Sequence, residues 1–366
     1  MIYLDHAATT RPAEAVLAEM LRVSRESWAN PSAAYSAAGD ARRVLRQARQ
    51  AVAELLDCPP EQVIFTSGGT ESNNWALSRA AGRHVVLSAQ EHHSVLRAAK
   101  RLNCRVTLVR PDSRGVVTPE AVEQALQPDT ALISVQWANN ETGVLQPVEE
   151  IGALARKRGI PYHTDAVQAF GHVPTRCGGW DLLSLSAHKL YGPRGVGCLV
   201  IREGVRVSPL LSGGGQEMGL RSGTENIPGI AGLGKAAELA ASELERERLR
   251  LSRLMEDFLG QVHRLLPQAQ VLGEAASRLP GIAALYLPGV NAEAVMTALE
   301  LRGILVSAGA ACAARDPAPS HVYQALGLTE KQAGSVIRIS PGRETTPEMM
   351  NTAAQTLKDI LTIIQK

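Results

Sequence analysis

A single lysine closes the run Ser184-Leu185-Ser186-Ala187-His188-Lys189-Leu190-Tyr191-Gly192-Pro193, between a strand-like stretch and a Gly-Pro turn. Lysine is rarely buried without a reason. A desolvated amine with its pKa drawn down is the usual means of making a Schiff base with an aldehyde. Asp165 stands 24 residues earlier, at the end of another apolar run. A carboxylate placed there is partly buried and needs a cationic partner.

Other polar residues gather at the ends of similar runs, where open α/β sheets place their ligands. Gly68-Gly69-Thr70 follows "VIFTS" and opens a helix-like segment. Free N–H groups, the helix dipole and the Thr70 hydroxyl would there face a phosphate, with an ordinary capped helix as the alternative. His92 follows "VVLSA"; it could stack on an aromatic ligand or serve as a solvated or capping histidine. Asn139 and Asn140 follow "ISVQWA", and Gln168 follows Asp165. Pyridoxal phosphate (PLP) needs a Schiff-base lysine and an acidic partner for its pyridinium nitrogen. It also needs a phosphate cup, here Thr70, Ser186 and His188. That one ligand accounts for five strand ends together, whereas a structural lysine accounts for one.

Cys312 lies among Gly and Ala in "VSAGAACAARDPAPSH", at the exit of a predicted strand and before a stretch that reads as a mobile loop. A thiol so placed could swing to a substrate and then to a partner, if its surroundings favour the thiolate. Cys58, Cys104 and Cys198 read as small buried hydrophobes. Arg338, between apolar neighbours in "SVIRIS", needs an anion. A substrate carboxylate or a structural ion pair would serve.

The elements that must carry these residues alternate. From about residue 61 to 202, β-rich runs ("QVIFTS", "RHVVLSA", "CRVTLVR", "ALISVQWA", "IPYHTDA", "DLLSLSA", "VGCLVIR") are separated by helix-like segments. Such alternation predicts a mostly parallel sheet covered on both faces. The last run follows a short Gly-Pro-Arg-Gly turn and is expected to pair antiparallel. The Ala/Glu/Arg/Leu-rich stretch from Ile227 to Leu266 predicts one long helix or two joined ones. Beyond it, "GIAALYLPG", "GILVSAGAACAA" and "SVIRISPG" read as strands of a smaller α/β domain. The expected division is a large domain over 15–255 and a small one built from 1–14 and 256–366.

Bulk properties agree with this. A chain of 366 residues exceeds the size at which a single core stops growing. A net charge of +2 gives no argument for nucleic acid or a membrane surface. No apolar run approaches the ~18–20 residues of a membrane span, and the N-terminus has no export signature. The expectation is a cytoplasmic protein. Five scattered cysteines without a C-x-x-C pair argue against a disulfide framework.

Ten motifs in order and spacing resemble the PLP-dependent cysteine desulfurases of nitrogen fixation and general iron–sulfur cluster assembly. They are "YLDHAATT", "NPSAAYSAAG", "FTSGGTESNN", "EHHSVL", "ANNETG", "HTDAVQAFG", "SAHKLYGPRGVG", "GGGQEMGLRSGTEN", "SAGAACAA" and "IRISPGRETT", covering residues 3 to about 346. The resemblance implies fold type I of the PLP-dependent transferases, in the class V aminotransferase branch: a large domain with a mostly parallel seven-stranded sheet, plus a smaller α/β domain. It also implies a homodimer.

By the same resemblance Lys189 binds PLP, Asp165 meets the ring nitrogen and Gln168 lies near the phenolic oxygen. His92 matches the ring-stacking residue and is a candidate in proton transfer. Gly69, Thr70, Ser186 and His188 match the phosphate cup, and Thr224 matches a threonine reaching the neighbouring subunit's cofactor. Asn140 is placed at the cofactor and substrate, Arg338 on the substrate carboxylate, with Asn30 a further substrate candidate. Cys312 matches the nucleophile that takes sulfur from L-cysteine as a persulfide, leaving L-alanine, and passes it to an iron–sulfur scaffold or another acceptor protein. No resident metal is expected; Cys312 is a candidate shared ligand of an iron–sulfur cluster held with a scaffold partner. The departures are His6 where asparagine or tyrosine is more usual, an Ala-rich rather than Ser-rich cysteine motif, and Pro341 where leucine is common. A selenocysteine lyase or another class V aminotransferase is the alternative, although "AARDPAPSH" has the length of the mobile-loop type.

Overall fold

The computed structural model describes residues 1–175, 178–309 and 319–364. Cys312 and most of "AARDPAPSH" lie outside the described residues.

A short strand β1 (Ile2–Tyr3) and helices α1 (Glu14–Glu26) and α2 (Ala38–Leu56) precede the main sheet. The seven β-rich runs become its seven strands: β2 (Val63–Thr66), β3 (His84–Ser88), β4 (Arg105–Val109), β5 (Thr130–Ser134), β6 (Tyr162–Asp165), β7 (Leu182–Ser186) and β8 (Gly197–Ile201). Their order is β2-β8-β7-β6-β5-β3-β4. The pairs β3–β4, β3–β5, β5–β6 and β6–β7 are parallel. Strand β8 runs antiparallel to both β7 and β2, as its short connection requires.

Helices α3 (Gly69–Ser78), α4 (His93–Arg101), α5 (Pro119–Ala125) and α6 (Val148–Arg158) connect the strands. With both faces covered, six of the seven strands are buried along their whole length. That is why they read as continuous apolar runs rather than alternating ones. The edge strand β4 is the exception and exposes Val106 and Leu108.

Helix α7 (Ile227–Leu265) is unbroken over 39 residues. Its first part, from Ile227 to Ala240, packs into the core of the main sheet. Its last part, Leu251 to Val262, enters a second core together with Leu4. The charged middle is braced by i,i+3 pairs, Glu243–Arg246, Glu245–Arg248 and Glu247–Arg250. The second core is completed by β9 (Gln270–Val271), β10 (Ala283–Tyr286), α8 (Ala292–Glu300), β11 (Ile304–Leu305), β12 (Val336–Ile339) and α11 (Pro347–Ile364), with the short helices α9 (His321–Ala325) and α10 (Glu330–Ala333) alongside. Strand β1 pairs with β11, so the N-terminus joins this second unit. Among the described residues no helix is long and apolar enough to cross a membrane.

Candidate active site

A cavity of about 140 Å³ opens at the carboxyl ends of β2, β3, β5, β6 and β7. Gly69, Thr70, His92, Asn140, Asp165, Gln168, Ser186, His188, Lys189 and Arg338 all line it, as do Asn73 and Ser94. The strand–helix alternation brings all but Arg338 together because each parallel strand ends on the same side of the sheet, while Arg338 comes from β12 of the second sheet.

Lys189 follows β7 in a single 3-10 turn. Its Nζ donates to the carbonyls of Ala7 and Ala8, the latter at 2.9 Å. Its own carbonyl meets His172 Nε2 at 2.9 Å. Two residues on, Tyr191 holds a left-handed φ of 63°, a conformation costly for a non-glycine. Three contacts impose it. The Tyr191 N–H donates to Thr10 Oγ1 (2.8 Å), its hydroxyl accepts from the Arg343 N–H (2.8 Å), and the Arg343 guanidinium lies over its ring.

Asp165 ends β6 and is buried. Its Oδ2 accepts from Asn73 Nδ2 at 2.6 Å and its Oδ1 from the Val167 N–H at 2.9 Å. Gln168 donates to the Ala7 carbonyl at 2.8 Å. Helix α3 begins at Gly69 with no side chain capping its first turn. A Cβ on Gly69 would stand 2.6 Å from Val167 Cγ2, so the glycine permits a close approach of backbone to the floor of the cavity. His188 Nδ1 meets Thr9 Oγ1 at 3.1 Å. Burial first, then Lys189, draws the His188 pKa down to about 4. It is a neutral imidazole beside the helix start.

His92 both caps α4, as the capping alternative expects, and lines the cavity. Burial lowers its pKa; Asp165 opposes this and Lys189 reinforces it. Arg338 makes the structural ion pair and also lines the cavity. It is buried, and it pairs with Asp5 at 2.6 Å while donating to the Asn140 carbonyl at 2.7 Å. Its Nε has no partner among the described residues and is sealed from solvent.

Both flanks of the stretch carrying Cys312 are fastened to this rim. On one side Ser307 exchanges backbone hydrogen bonds with Arg338. On the other, Ser320 Oγ donates to Glu141 Oε2 at 2.6 Å and His321 Nε2 meets the Glu91 carbonyl at 2.9 Å. Glu141 is fully enclosed, and burial raises its pKa. Cys198 is buried and Cys58 and Cys104 are half-buried. None of the three lines the cavity, and burial raises the thiol pKa of each, Cys58 to about 11.

Two expected site residues stand apart. Asn30 lies in the loop after α1, accepting from the Ser32 N–H at 2.9 Å, and does not line the cavity. Thr224 is exposed before α7 and does not line it either. Conversely, Asn73, Ser94, Asp5 and the Ala7 and Ala8 carbonyls were given no role from sequence, although Asn73 sits inside "GGTESNN" and Ser94 inside "EHHSVL".

The donors present fit PLP. An uncapped helix start with Thr70, Ser186 and His188 suits a phosphate. Buried Asp165 suits a pyridinium, and Lys189 supplies the amine. Asn73 Oδ1 is a buried acceptor with no partner among the described residues.

The family model of aminotransferase class-V matches residues 2–351. A protein of Dictyoglomus turgidum named cysteine desulfurase IscS is 39% identical, over 98% of this chain and 94% of that protein. A solved structure described as a NifS-like protein superposes with a TM-score of 0.92 at 35% identity, over 99% of both chains. Another, described as SspA in complex with cysteine, has a TM-score of 0.83 at 35% identity, over 93% of this chain and 98% of that one.

Proposed function

The chain belongs to the aminotransferase class-V family, and on that premise we propose that it works as a PLP-dependent cysteine desulfurase, a sulfurtransferase converting L-cysteine to L-alanine. The observation that carries the reading is the fastening of both flanks of the Cys312 stretch to the rim of the Lys189 cavity. A relative named cysteine desulfurase and a similar structure with bound cysteine support it.

When bound, PLP would draw electrons from the substrate Cα. Lys189 would hold it covalently, with Asp165 at the ring nitrogen, Gln168 near the phenolic oxygen, and Gly69, Thr70, Ser186 and His188 around the phosphate. Arg338 and Asn140 hold the substrate carboxylate. The Lys189 amine, once released, moves the proton at the substrate Cα. The Cys312 thiolate attacks the substrate sulfur; an S–S bond forms and the Cβ–S bond breaks. Its electron pair stays with carbon, which takes up a proton to become the alanine methyl. The sulfur remains on Cys312 as a persulfide, so no external oxidant is required. Enclosure of the buried polar groups strengthens each electrostatic interaction.

An acceptor protein, such as an iron–sulfur scaffold, then receives the sulfur. The protein works as a homodimer, a reading supported by Thr224, which lies exposed and outside its own chain's cavity. The test is incubation with cysteine and a reductant while alanine and sulfide are measured together. Equimolar yields are expected; keto acid in place of alanine would show another class V chemistry.

A further inference from the structure

Four side chains lining the cavity form a chain of hydrogen bonds whose direction follows from the backbone N–H that caps α4. The Ser94 N–H donates to His92 Nδ1 at 3.1 Å, as the N-cap bond of α4. A backbone N–H can only donate, so Nδ1 carries a lone pair. Ser94 Oγ lies 2.7 Å from the same nitrogen, so its hydroxyl must also donate to it. The Ser94 oxygen in turn accepts from Asn73 Nδ2 at 2.8 Å. The other hydrogen of that amide goes to Asp165 Oδ2 at 2.6 Å. Turning the amide over would place Oδ1 against a carboxylate oxygen, which is repulsive, so both hydrogens of Nδ2 are committed. Asn73 and Ser94 are buried.

We propose that Asn73 and Ser94 are positioning residues that fix His92 as its Nε2–H tautomer and tie it rigidly to Asp165. The significance of this rests on the reading that the cavity holds PLP between these two residues. In this arrangement the His92 lone pair is occupied by Ser94. Taking a proton at Nδ1 would break the cap of α4 and turn the Ser94 hydroxyl hydrogen away from the ring. His92 therefore faces the cavity as a neutral hydrogen-bond donor through Nε2, not as a base. The relay also explains why a histidine occupies an N-cap more often filled by Ser, Thr, Asp or Asn. The ring nitrogen performs the capping, and the ring remains turned to the cavity.

The test is nitrogen NMR of the holoenzyme labelled with 15N-histidine, with His92 assigned by subtraction against His92→Gln. A pyridine-type Nδ1 and a pyrrole-type Nε2 are expected at neutral pH. Kinetics supply the second readout. Ser94→Ala and Asn73→Ala should each lower kcat about tenfold with KM for cysteine changed less than about twofold, and Ser94→Thr should restore most of the loss. A protonated Nδ1 in the wild-type holoenzyme, or an unaltered kcat in Ser94→Ala, would overturn the proposal. The NMR result does not depend on which reaction the enzyme performs. A failure of the desulfurase reading would appear instead as absent alanine with the tautomer intact.

Discussion

Buried Arg338 and half-buried Asp5 form an ion pair at 2.6 Å, joining β12 to the first residues of the chain. The guanidinium is thus oriented before any substrate arrives, with Asn140 O holding another of its nitrogens and Nε left over. Arg338→Lys keeps the charge but loses the planar fork, so KM for cysteine should rise about tenfold with a smaller change in kcat. Arg338→Ala should also destabilise the fold by about 3 kcal/mol, because Asp5 is left largely buried without its partner. Steady-state kinetics and urea unfolding check the two effects separately.

The start of α3 is open toward the cavity, and Thr70 adds a hydroxyl there. Thr70→Ala should weaken PLP binding to apoenzyme about tenfold, the worth of one hydrogen bond to a charged group. Gly69→Ala should weaken it further, because the new Cβ would meet Val167 Cγ2 at 2.6 Å. Fluorescence titration with PLP measures both; equal affinity in all three proteins would place the phosphate elsewhere.

Acid should destabilise the apoprotein through its buried histidines. His163 lies between Ser134 Oγ (2.8 Å) and Ser184 Oγ (3.0 Å), and burial draws its pKa down to about 3. His6 and His188 are drawn down to about 4, burial again first. Above the unfolded histidine pKa of about 6.5, all three are neutral in both states and contribute no pH dependence. As the pH falls below that value, the unfolded chain takes up protons that the folded chain refuses. Stability therefore falls by about 1.4 kcal/mol per pH unit for His163, and by less for the partly exposed His6 and His188. His163→Gln should give a shallower loss between pH 6 and pH 5 in urea unfolding; parallel curves would contradict the assignment.

Cys312→Ala should keep the visible absorption of bound PLP and lose release of sulfide from cysteine. Unchanged sulfide release would place the nucleophile elsewhere.

The architecture was readable because strands buried on both faces leave long apolar runs and the residues after them are polar. Each of the seven runs became a strand, and Ile227–Leu265 became one helix. Lys189, Asp165, His92 and Arg338, which line one cavity, stand out in sequence because a charged or polar residue closing or interrupting an apolar run is conspicuous. Asp5 and Asn73 were not, since their partners stand 333 and 92 residues away and no local period marks them. The pairing of β1 with β11 spans two residues on each side, too short for any periodicity to show. Asn30 illustrates the opposite case, a motif match that the fold places in a turn away from the cavity.

The central claim is that the amine of Lys189 holds PLP in the cavity at the ends of the parallel strands. Borohydride reduction of the purified holoenzyme, followed by peptide mapping, tests it most directly. A single reduced cofactor adduct is expected on the peptide containing Lys189, absent from Lys189→Ala. An adduct on any other lysine, or none in a protein that still forms alanine from cysteine, would contradict it.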